Sequence, residues 1–210
     1  MADTGILYVI AAPSGTGKTT LVKAVIDSMP KITVSISHTT RQKRPNESHG
    51  THYFFIDDAE FKKMQAASEF LEHAKIFDHS YGTAKQAVLE TLAKGIDVIL
   101  EIDWQGHQQI KRLLPDCISI FILPPSLEDL RERLIKRNQD HTDIIQKRLK
   151  DAKETISHIQ EFDYIVINDD FVNALHDLKI IIEAGKLQGK RQIKRFHHLI
   201  EGFAHLDEDQ

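Results

Sequence analysis

The sequence predicts an α/β fold with three layers, in which a parallel β-sheet lies between helices on both faces. Runs of β-branched apolar residues alternate with segments of helical periodicity along most of the 210 residues. Strands that are buried on both faces and joined by right-handed helical crossovers give this alternation. Residues 37–92 interrupt it, because they are polar and rich in aromatic side chains. We interpret residues 1–36 and 93–210 as the core and residues 37–92 as an inserted mixed α/β module.

Five apolar runs are expected to form the sheet, and helical patterns separate them. The first helix is expected to stop near Pro30, the next to span residues 105–114, and another to open with Ser126 as its N-cap. A longer helix is expected over residues 142–158, followed by a last clear one that ends near Gly185. The expected strands are residues 6–10, 32–36, 98–102, 118–123 and 164–167.

Composition excludes several classes of protein. A net charge of −4 gives no basic footprint for nucleic acid, and no apolar stretch approaches the length of a membrane span. The N-terminus lacks the pattern of a signal peptide, so we expect a cytoplasmic protein that binds neither nucleic acid nor membrane. The single cysteine, Cys117, lies in an apolar run and is expected to be a buried thiol.

The end of the chain, residues 185–210, changes in character. A basic cluster between Lys186 and Arg195 precedes a weakly amphipathic stretch and then acidic residues. We interpret this tail as a solvated helix, and the alternative is a subunit contact in a homo-oligomer.

A glycine-rich segment stands between the first expected strand and the first helix. Residues 11–20 read A-A-P-S-G-T-G-K-T-T and fit the phosphate-binding pattern G-x-x-x-x-G-K-[ST], except that Ala12 replaces the first glycine. Glycine lets successive N–H groups point at phosphate oxygens, and the helix adds a positive dipole end. Lys18 would supply a charge for the β and γ phosphates, and Thr19 a hydroxyl for Mg²⁺. The predicted nucleotide-binding residues are Ala12, Pro13, Ser14, Gly15, Thr16, Gly17, Lys18, Thr19 and Thr20.

The inserted module opens with a second polar cluster. Arg41 and Arg44 are three residues apart, with Lys43 and several hydroxyl groups beside them. Two guanidinium groups can hold a phosphate through forked hydrogen bonds. An insertion beyond the carboxyl ends of the strands is also well placed to hold a second substrate. Taken alone, the same residues fit an exposed basic loop equally well.

This segment resembles the signature of the guanylate kinase family, T-[ST]-R-x-x-[KR]-x-x-[DE]-x-x-G-x-x-Y-x-[FY]. Further similar stretches extend the resemblance over about residues 5–183, which makes it far more specific than a phosphate loop alone. The residues that fit the signature are Thr39, Thr40, Arg41, Arg44, Glu47, Gly50, Tyr53 and Phe55, and the further stretches are residues 70–72, 81–83, 101–106, 124–126 and 166–170.

The resemblance implies the reversible transfer of the γ-phosphoryl group of ATP to GMP, and also to dGMP. It implies that Arg41 and Arg44 clamp the GMP phosphate with Tyr53 and Tyr81. The remaining residues that it assigns to GMP are Ser37, Glu72, Gly82, Thr83, Glu101, Asp103, Gln105 and Gly106.

The resemblance also implies a phosphate-loop kinase core and a small helical lid over about residues 134–156. Because phosphoryl transfer is catalysed by positioning and charge, we assign no nucleophile. Mg²⁺ is the implied cofactor, held by Thr19 with Asp103 or Glu101 through water. The residues assigned to catalysis are Lys18, Arg41, Arg137 and Arg148, and those assigned to ATP besides the loop are Arg133, Asn168 and Asp169.

Glu72 is our choice for the residue that selects guanine. Guanine presents N1–H and N2–H₂ as adjacent donors, and one carboxylate accepts from both, whereas adenine presents a bare N1 lone pair there. A buried charged acceptor that loses its donors is strongly penalised, so adenine would be rejected. Without the resemblance, a surface glutamate would be the preferred interpretation of this residue.

Two rival functions are weighed against this one. A kinase of the same architecture could act on another nucleoside monophosphate, and a substrate panel separates the two. A guanylate-kinase-like scaffold domain would bind a partner peptide, but such domains have typically lost the working phosphate loop that this chain keeps. The departures from the family pattern are Ala12, Glu101 in place of the commoner aspartate, and His38. None of them removes a charge that the mechanism needs.

Overall fold

The computed structural model describes residues 4–76, 78–136 and 142–204. The described residues form a larger sheet, a smaller sheet and the helices that cover them. In chain order the elements are β1 (Leu7–Ala11), α1 (Lys18–Ser28), β2 (Ile32–Val34), β3 (His38–Thr39), β4 (Phe54–Phe55), α2 (Asp58–Ala66), β5 (Phe70–Ile76), β6 (His79–Ala84), α3 (Lys85–Ala93), β7 (Asp97–Glu101), α4 (Trp104–Leu113), β8 (Ile118–Leu123), α5 (Leu127–Lys136), α6 (Thr142–Ser157), β9 (Tyr164–Ile167), α7 (Phe171–Lys186), α8 (Gly189–Arg195) and α9 (His197–Ala204).

The larger sheet is parallel throughout and confirms the predicted α/β core. Its strand order is β2-β7-β1-β8-β9, and every residue of the central strand β1 is buried. Tyr8 and Ile10 belong to a core cluster with residues of α1 and α7, whereas Leu7 and Val9 belong to a second cluster with residues of α3 and α4. Because neighbouring residues of a strand point to opposite faces, the sheet is the middle layer of three. Cys117 is buried in the second cluster, as expected.

Strand β2 ends at Val34, two residues earlier than the sequence predicts. The amide of Ser35 still donates to the carbonyl of Ile99 at 2.9 Å. The carbonyl of Ser37 instead accepts from the amide of Phe54 at 2.9 Å. The backbone has therefore left the parallel sheet and entered the module between these two residues.

The module is built on the smaller sheet, whose strand order is β4-β3-β6-β5. Its main part is the antiparallel hairpin of β5 and β6, in which Glu72 pairs with Thr83. The sequence predicts two or three short extended runs here, and the sheet has four strands. The hairpin is hard to see in the sequence because polar side chains such as Glu72 occupy positions where a regular apolar alternation would otherwise appear.

Helix α4 lies where the two sheets meet. The side-chain amide of Gln109 donates to the carbonyl of His73 in β5 at 2.8 Å, and the amide of His73 donates back to the Gln109 carbonyl oxygen at 3.1 Å. On the same helix, Ile110 is fully buried in the second core cluster, against the parallel sheet. Helix α4 therefore fixes β5, and the module with it, relative to the core.

Helices α5 and α6 pack on one another through Leu130, Leu134 and Ala152. The polar link that the sequence predicts between them, residues 138–141, lies outside the described residues. The tail forms α8 and α9, in which Leu199 and Phe203 are exposed. Its interpretation as a solvated helix, with a subunit contact as the alternative, stays a prediction. None of the described helices combines the length and apolarity needed to cross a membrane.

Candidate active site

The glycine-rich loop joins β1 to α1 at the carboxyl edge of the parallel sheet. Gly15 and Gly17 have φ angles of 95° and 91°, a conformation that strongly favours glycine. Gly17 is the last residue before the helix and has no side chain, so it leaves the first N–H groups of α1 to a ligand. Ala12 is absent from the non-glycine residues with positive φ in the described chain. Alanine at the first glycine position of the pattern is therefore free of backbone strain.

Two residues predicted to bind ATP form hydrogen bonds that hold this loop. The side-chain amide of Asn168 donates to the carbonyl of Thr16 at 2.6 Å. The guanidinium of Arg133 donates to the carbonyl of Asn168 at 2.9 Å and to that of Thr16 at 3.4 Å. A Cβ at Gly17 would lie 2.7 Å from the Asn168 amide nitrogen, so the contact requires glycine there. Arg133 and Asn168 thus stabilise the conformation of the loop.

The start of α1 faces two carboxylates from the end of β7 and the residue before α4. The hydroxyl of Thr19 donates to Oε2 of Glu101 at 3.0 Å. Burial lowers the pKa of Lys18, while Glu101 and Asp103 act in the opposite direction. Burial also raises the pKa of Asp103, although its carboxylate accepts from the amide of Gly106 at 2.8 Å. A hydroxyl beside carboxylates is a donor set that suits a hard cation such as Mg²⁺.

One carboxylate, that of Glu47, holds the guanidinium of Arg41 and the backbone of Arg44. Oε1 of Glu47 lies 2.7 Å from the guanidinium of Arg41, and Oε2 accepts from the amide of Arg44 at 2.9 Å. The hydrogen bond from Arg41 lowers the pKa of Glu47, and the same bond raises that of Arg41. The guanidinium carbon of Arg41 is 5.4 Å from the ring centroid of Tyr53 and 5.7 Å from that of Phe55. Sequence reasoning gave Glu47 no role, although it fits the signature.

Glu72 is a buried carboxylate at the wall of the cleft. It is 3% exposed, and the Thr83 hydroxyl donates to its Oε1 at 2.5 Å. The pKa of Glu72 is raised to about 7, mainly by burial and also by the charge of nearby Asp103, and the Thr83 hydrogen bond opposes this rise in part. A Cβ at Gly106 would lie 2.6 Å from Oε2, so a side chain at that position would displace the carboxylate. Thr83 and Gly106 thus act on Glu72 rather than line the cleft.

A cleft of about 840 Å³ brings the two polar clusters together. The glycine-rich loop lies on one side, the arginine pair on another, and residues of α6 close a third. The predicted residues that line it are residues 12–19, Ser37, Arg41, Arg44, Tyr53, Glu72, Tyr81, Glu101, Asp103, Gln105 and Arg148.

Several predicted residues do not line this cleft. Arg137 lies outside the described residues, and Arg133 and Asn168 brace the loop. The others that do not line it are Thr20, Gly82, Thr83, Gly106 and Asp169.

Other lining residues had no signal in the sequence because an isolated polar side chain on a helix or hairpin looks like an ordinary exposed one. They include Lys75, His79, Lys147, Asp151 and Glu154.

The parallel sheet, the phosphate loop and the basic cleft opposite it define a nucleotide kinase of the phosphate-loop class. The Guanylate kinase family profile matches residues 5–185. A guanylate kinase of Pseudomonas fluorescens is 52% identical over 198 residues, which are 94% of this chain and 96% of that one. One of Coxiella burnetii is 53% identical over 92% of this chain and 94% of that protein. The crystal structure of guanylate kinase from Anaplasma phagocytophilum has a TM-score of 0.75 at 32% identity, with 90% of each chain covered. The chain belongs to the guanylate kinase family.

Proposed function

We propose that this chain transfers the γ-phosphoryl group of ATP to GMP, forming ADP and GDP, with dGMP as a second acceptor. The observation that carries the proposal is that the phosphate loop and the arginine pair face each other across the same cleft, with the buried carboxylate of Glu72 beside them. Two anionic nucleotides that meet end to end need such a pair of opposed cationic surfaces. The similarity to the guanylate kinases described above supports the same activity.

The phosphate loop is the proposed site of ATP. Its backbone N–H groups and the N-terminus of α1 would surround the phosphates, and Lys18 would add a charge close to the β and γ groups. Burial lowers the pKa of Lys18 more than Glu101 and Asp103 raise it, and a bound triphosphate would favour its charged form. Arg133, Asn168 and Asp169 are proposed to border the adenine end. The bracing of the loop by Arg133 and Asn168 is consistent with that place.

The module is the proposed site of GMP. Arg41 and Arg44 would bind the phosphate by forked hydrogen bonds, with the hydroxyl groups of Tyr53 and Tyr81 beside them. Glu47 holds Arg41 in place before substrate arrives, which reduces the ordering cost of binding. The remaining GMP contacts are proposed for Ser37, Glu101, Asp103 and Gln105, which line the cleft. Gly82, Thr83 and Gly106 do not line it, and they are proposed to act on GMP through their neighbours, Thr83 and Gly106 through Glu72.

Glu72 is the proposed guanine-selecting residue. Its ionised carboxylate can accept from N1–H and N2–H₂ of guanine at once, and adenine offers a lone pair in place of the first donor. Because Glu72 is 3% exposed, water solvates an unpaired carboxylate there poorly. Selection against adenine then follows from the mismatch itself.

Mg²⁺ fits the donor set at the start of α1. Thr19 would ligate it, and Glu101 or Asp103 would hold its water ligands, since the Thr19 hydroxyl already contacts Glu101 at 3.0 Å. When bound, the ion would neutralise phosphate charge. The chain's own part is to place Lys18, Arg41 and Arg148 around the transferring group, with Arg137 as a further lid residue in the proposal.

Residues 134–156 are the proposed lid, and residues 37–92 the proposed GMP-binding module. Arg148 and Asp151 of α6 line the cleft together with the loop, so α6 can exclude water that would compete with GMP as acceptor.

A coupled assay of ADP release with ATP and Mg²⁺ tests the proposal across GMP, dGMP, AMP and UMP. We expect GMP to give the highest kcat/KM, dGMP to follow, and AMP and UMP to be poor acceptors. Faster turnover of AMP than of GMP would overturn the guanine assignment. Absence of transfer to every monophosphate would favour a binding module instead.

A further inference from the structure

Helix α4 connects the proposed guanine pocket to the rest of the cleft. Gly106 in its first turn lies against the Glu72 carboxylate, and Gln109 holds the backbone of His73, the next residue of β5. A shift of α4 would therefore also move β5, the strand that carries Glu72. This helix is a fixed reference for the position of the purine.

The opposite side of α4 holds the end of the helix α6. The indole of Trp104 and the imidazole of His158 are stacked, with ring centroids 3.6 Å apart and planes 7° from parallel. His158 directly follows the last residue of α6, and Trp104 is the first residue of α4. Trp104 also lines the cleft, and His158 does not.

A hydrogen-bond network locks the imidazole in this orientation. Nδ1 of His158 is 2.7 Å from Oε1 of Glu161. The two carboxylate oxygens of Glu161 accept from the side-chain amide of Gln108 in α4 at 3.2 and 2.9 Å. The C-terminal end of α6 is thus fixed to α4 by one ring stack and one bridging carboxylate.

The position of this anchor matters because α6 carries residues of the cleft. Arg148 precedes His158 by ten residues, which is about 15 Å along a helix. A small rotation at the anchored end would move the guanidinium of Arg148 by more than an ångström. Misplacement of that size at a reacting group costs up to about 100-fold in rate.

We propose that Trp104 and His158 are positioning residues for phosphoryl transfer, because their stack aligns α6, and with it Arg148, on the same helix that holds the guanine carboxylate. The inference rests on the proposed function and deepens it. The stack acts on the chemical step through Arg148, and it leaves the binding of GMP by Glu72, Arg41 and Arg44 unchanged. A merely structural stack would change the unfolding temperature without changing the balance of kcat and KM.

The test uses His158, because it can be changed without altering the lining of the cleft. We expect His158→Ala to lower kcat roughly tenfold and to leave KM for GMP within about twofold of the original, because uniform binding is preserved. His158→Phe keeps a flat ring against Trp104 and should restore most of kcat. Lys153→Ala is the matched control, since this exposed residue lies on α6 outside the cleft lining.

A double-mutant cycle with Arg148→Ala shows whether the stack acts through this arginine. If it does, His158→Ala lowers kcat much less in the Arg148→Ala background than in the original chain. Additive losses, or an unchanged kcat in a folded His158→Ala variant, would overturn the proposal. A loss of kcat that His158→Phe does not restore would also overturn it.

Far-ultraviolet circular dichroism and the unfolding temperature of each variant establish that it is folded at the assay temperature. Should His158→Ala prove unfolded there, His158→Gln takes its place, because it removes the flat ring and keeps a side-chain amide near Glu161. This variant must then lower kcat and leave KM for GMP unchanged, and an unchanged kcat would overturn the proposal. The original chain is assayed beside them. Its failure to phosphorylate GMP would reject the proposed function, whereas a low kcat confined to the variants concerns the stack alone.

Discussion

The hydroxyl of Thr83 donates a 2.5 Å hydrogen bond to Glu72, and this bond stabilises the charged form of a carboxylate that burial makes hard to ionise. Glu72 is 3% exposed and has a pKa of about 7. Burial is the largest cause of the raised pKa, and the negative charge of Asp103 adds to it. Glu72 therefore changes its charge near neutral pH, at the place where we propose that guanine binds.

The first prediction is that binding of GMP weakens as the pH falls through 7. Glu72 takes up a proton in that range, and a protonated carboxyl group cannot accept from both guanine donors. The ionised fraction of a group with a pKa near 7 falls about tenfold between pH 8 and pH 6, so KM for GMP should rise about tenfold. Initial rates at saturating ATP across this range measure it.

Glu72→Gln is the control, because the phosphate of GMP titrates in the same range. The variant should raise KM for GMP roughly 10- to 100-fold at pH 8, since a hydrogen bond to a charged acceptor is lost, and should change KM for ATP far less. Any pH dependence that remains in the variant belongs to the phosphate. Identical pH profiles for the two proteins would contradict the assignment, and so would equal changes in the two KM values.

The second prediction concerns stability without substrate. Because the pKa of Glu72 in the folded protein lies above the ordinary value of 4.5, the folded state binds more protons than the unfolded state between these two values. The folded protein therefore loses stability from this residue as the pH rises from about 4.5 to 7. Glu72→Gln should unfold at a higher temperature than the original chain at pH 8, and the difference should shrink by pH 5. A lower unfolding temperature at pH 8 would be inconsistent with a strained carboxylate.

The third prediction is that Lys18→Ala abolishes turnover while the fold persists. Lys18 lies at the first position of α1, and burial lowers its pKa, so the fold does not depend on its charge. Activity should fall at least about 1000-fold, as for other groups that stabilise transition-state charge. Circular dichroism should show an unchanged fold. Rates close to those of the original chain would remove Lys18 from the mechanism.

The phosphate loop could be predicted almost completely from the sequence, because its conformation is set by residues that are consecutive in the chain. Gly15 and Gly17 take the positive φ angles that the pattern requires. The contacts between distant segments could not be predicted in this way. The bond of Asn168 to Thr16 spans 152 residues, and nothing in the local sequence of either residue indicates it. Such contacts depend on how β9 and the loop are brought together by the parallel sheet.

The same distinction applies to the carboxylates. The chemistry of guanine and the family resemblance point to Glu72, whereas its burial depends on the pairing of β5 with β6. Glu47 fitted the signature, but its bond to Arg41 depends on how the loop between β3 and β4 folds back. The sequence shows which residues are charged, whereas the tertiary structure decides which of those charges are paired.

The fourth prediction tests this loop. Glu47→Ala should raise KM for GMP about tenfold, because the Arg41 guanidinium and the backbone of Arg44 lose the carboxylate that holds them and must be ordered by the substrate. The side chains of both partners are about 14% exposed or less, so solvent screens this pair weakly. Glu132→Ala is the matched control, since its pair with Lys136 lies in solvent, with side chains 66% and 77% exposed. Equal effects of the two substitutions on KM would contradict the role of Glu47.

The fifth prediction concerns His107, a buried imidazole on α4. It is 1% exposed and stacked on Phe162 at a centroid distance of 4.0 Å. Neither ring nitrogen has a hydrogen-bond partner among the residues that the structure describes. Burial lowers the pKa of His107, with Lys111 acting in the same direction and Glu161 and Asp163 opposing it. Since an unfolded chain takes up a proton near pH 6.5, stability from this residue is lost as the pH falls below that value.

His107→Phe keeps the stack and removes both nitrogens, so it should raise the free energy of unfolding by about 1 kcal/mol at pH 8. The gain should be larger at pH 5.5. At that pH the unfolded original chain is stabilised by protonation of His107, and the variant lacks this group. Urea unfolding at both pH values measures it, and His176→Phe makes the same change at an exposed position of α7. A gain of equal size in both variants, or one that shrinks at low pH, would show that the buried imidazole is not the source of acid sensitivity.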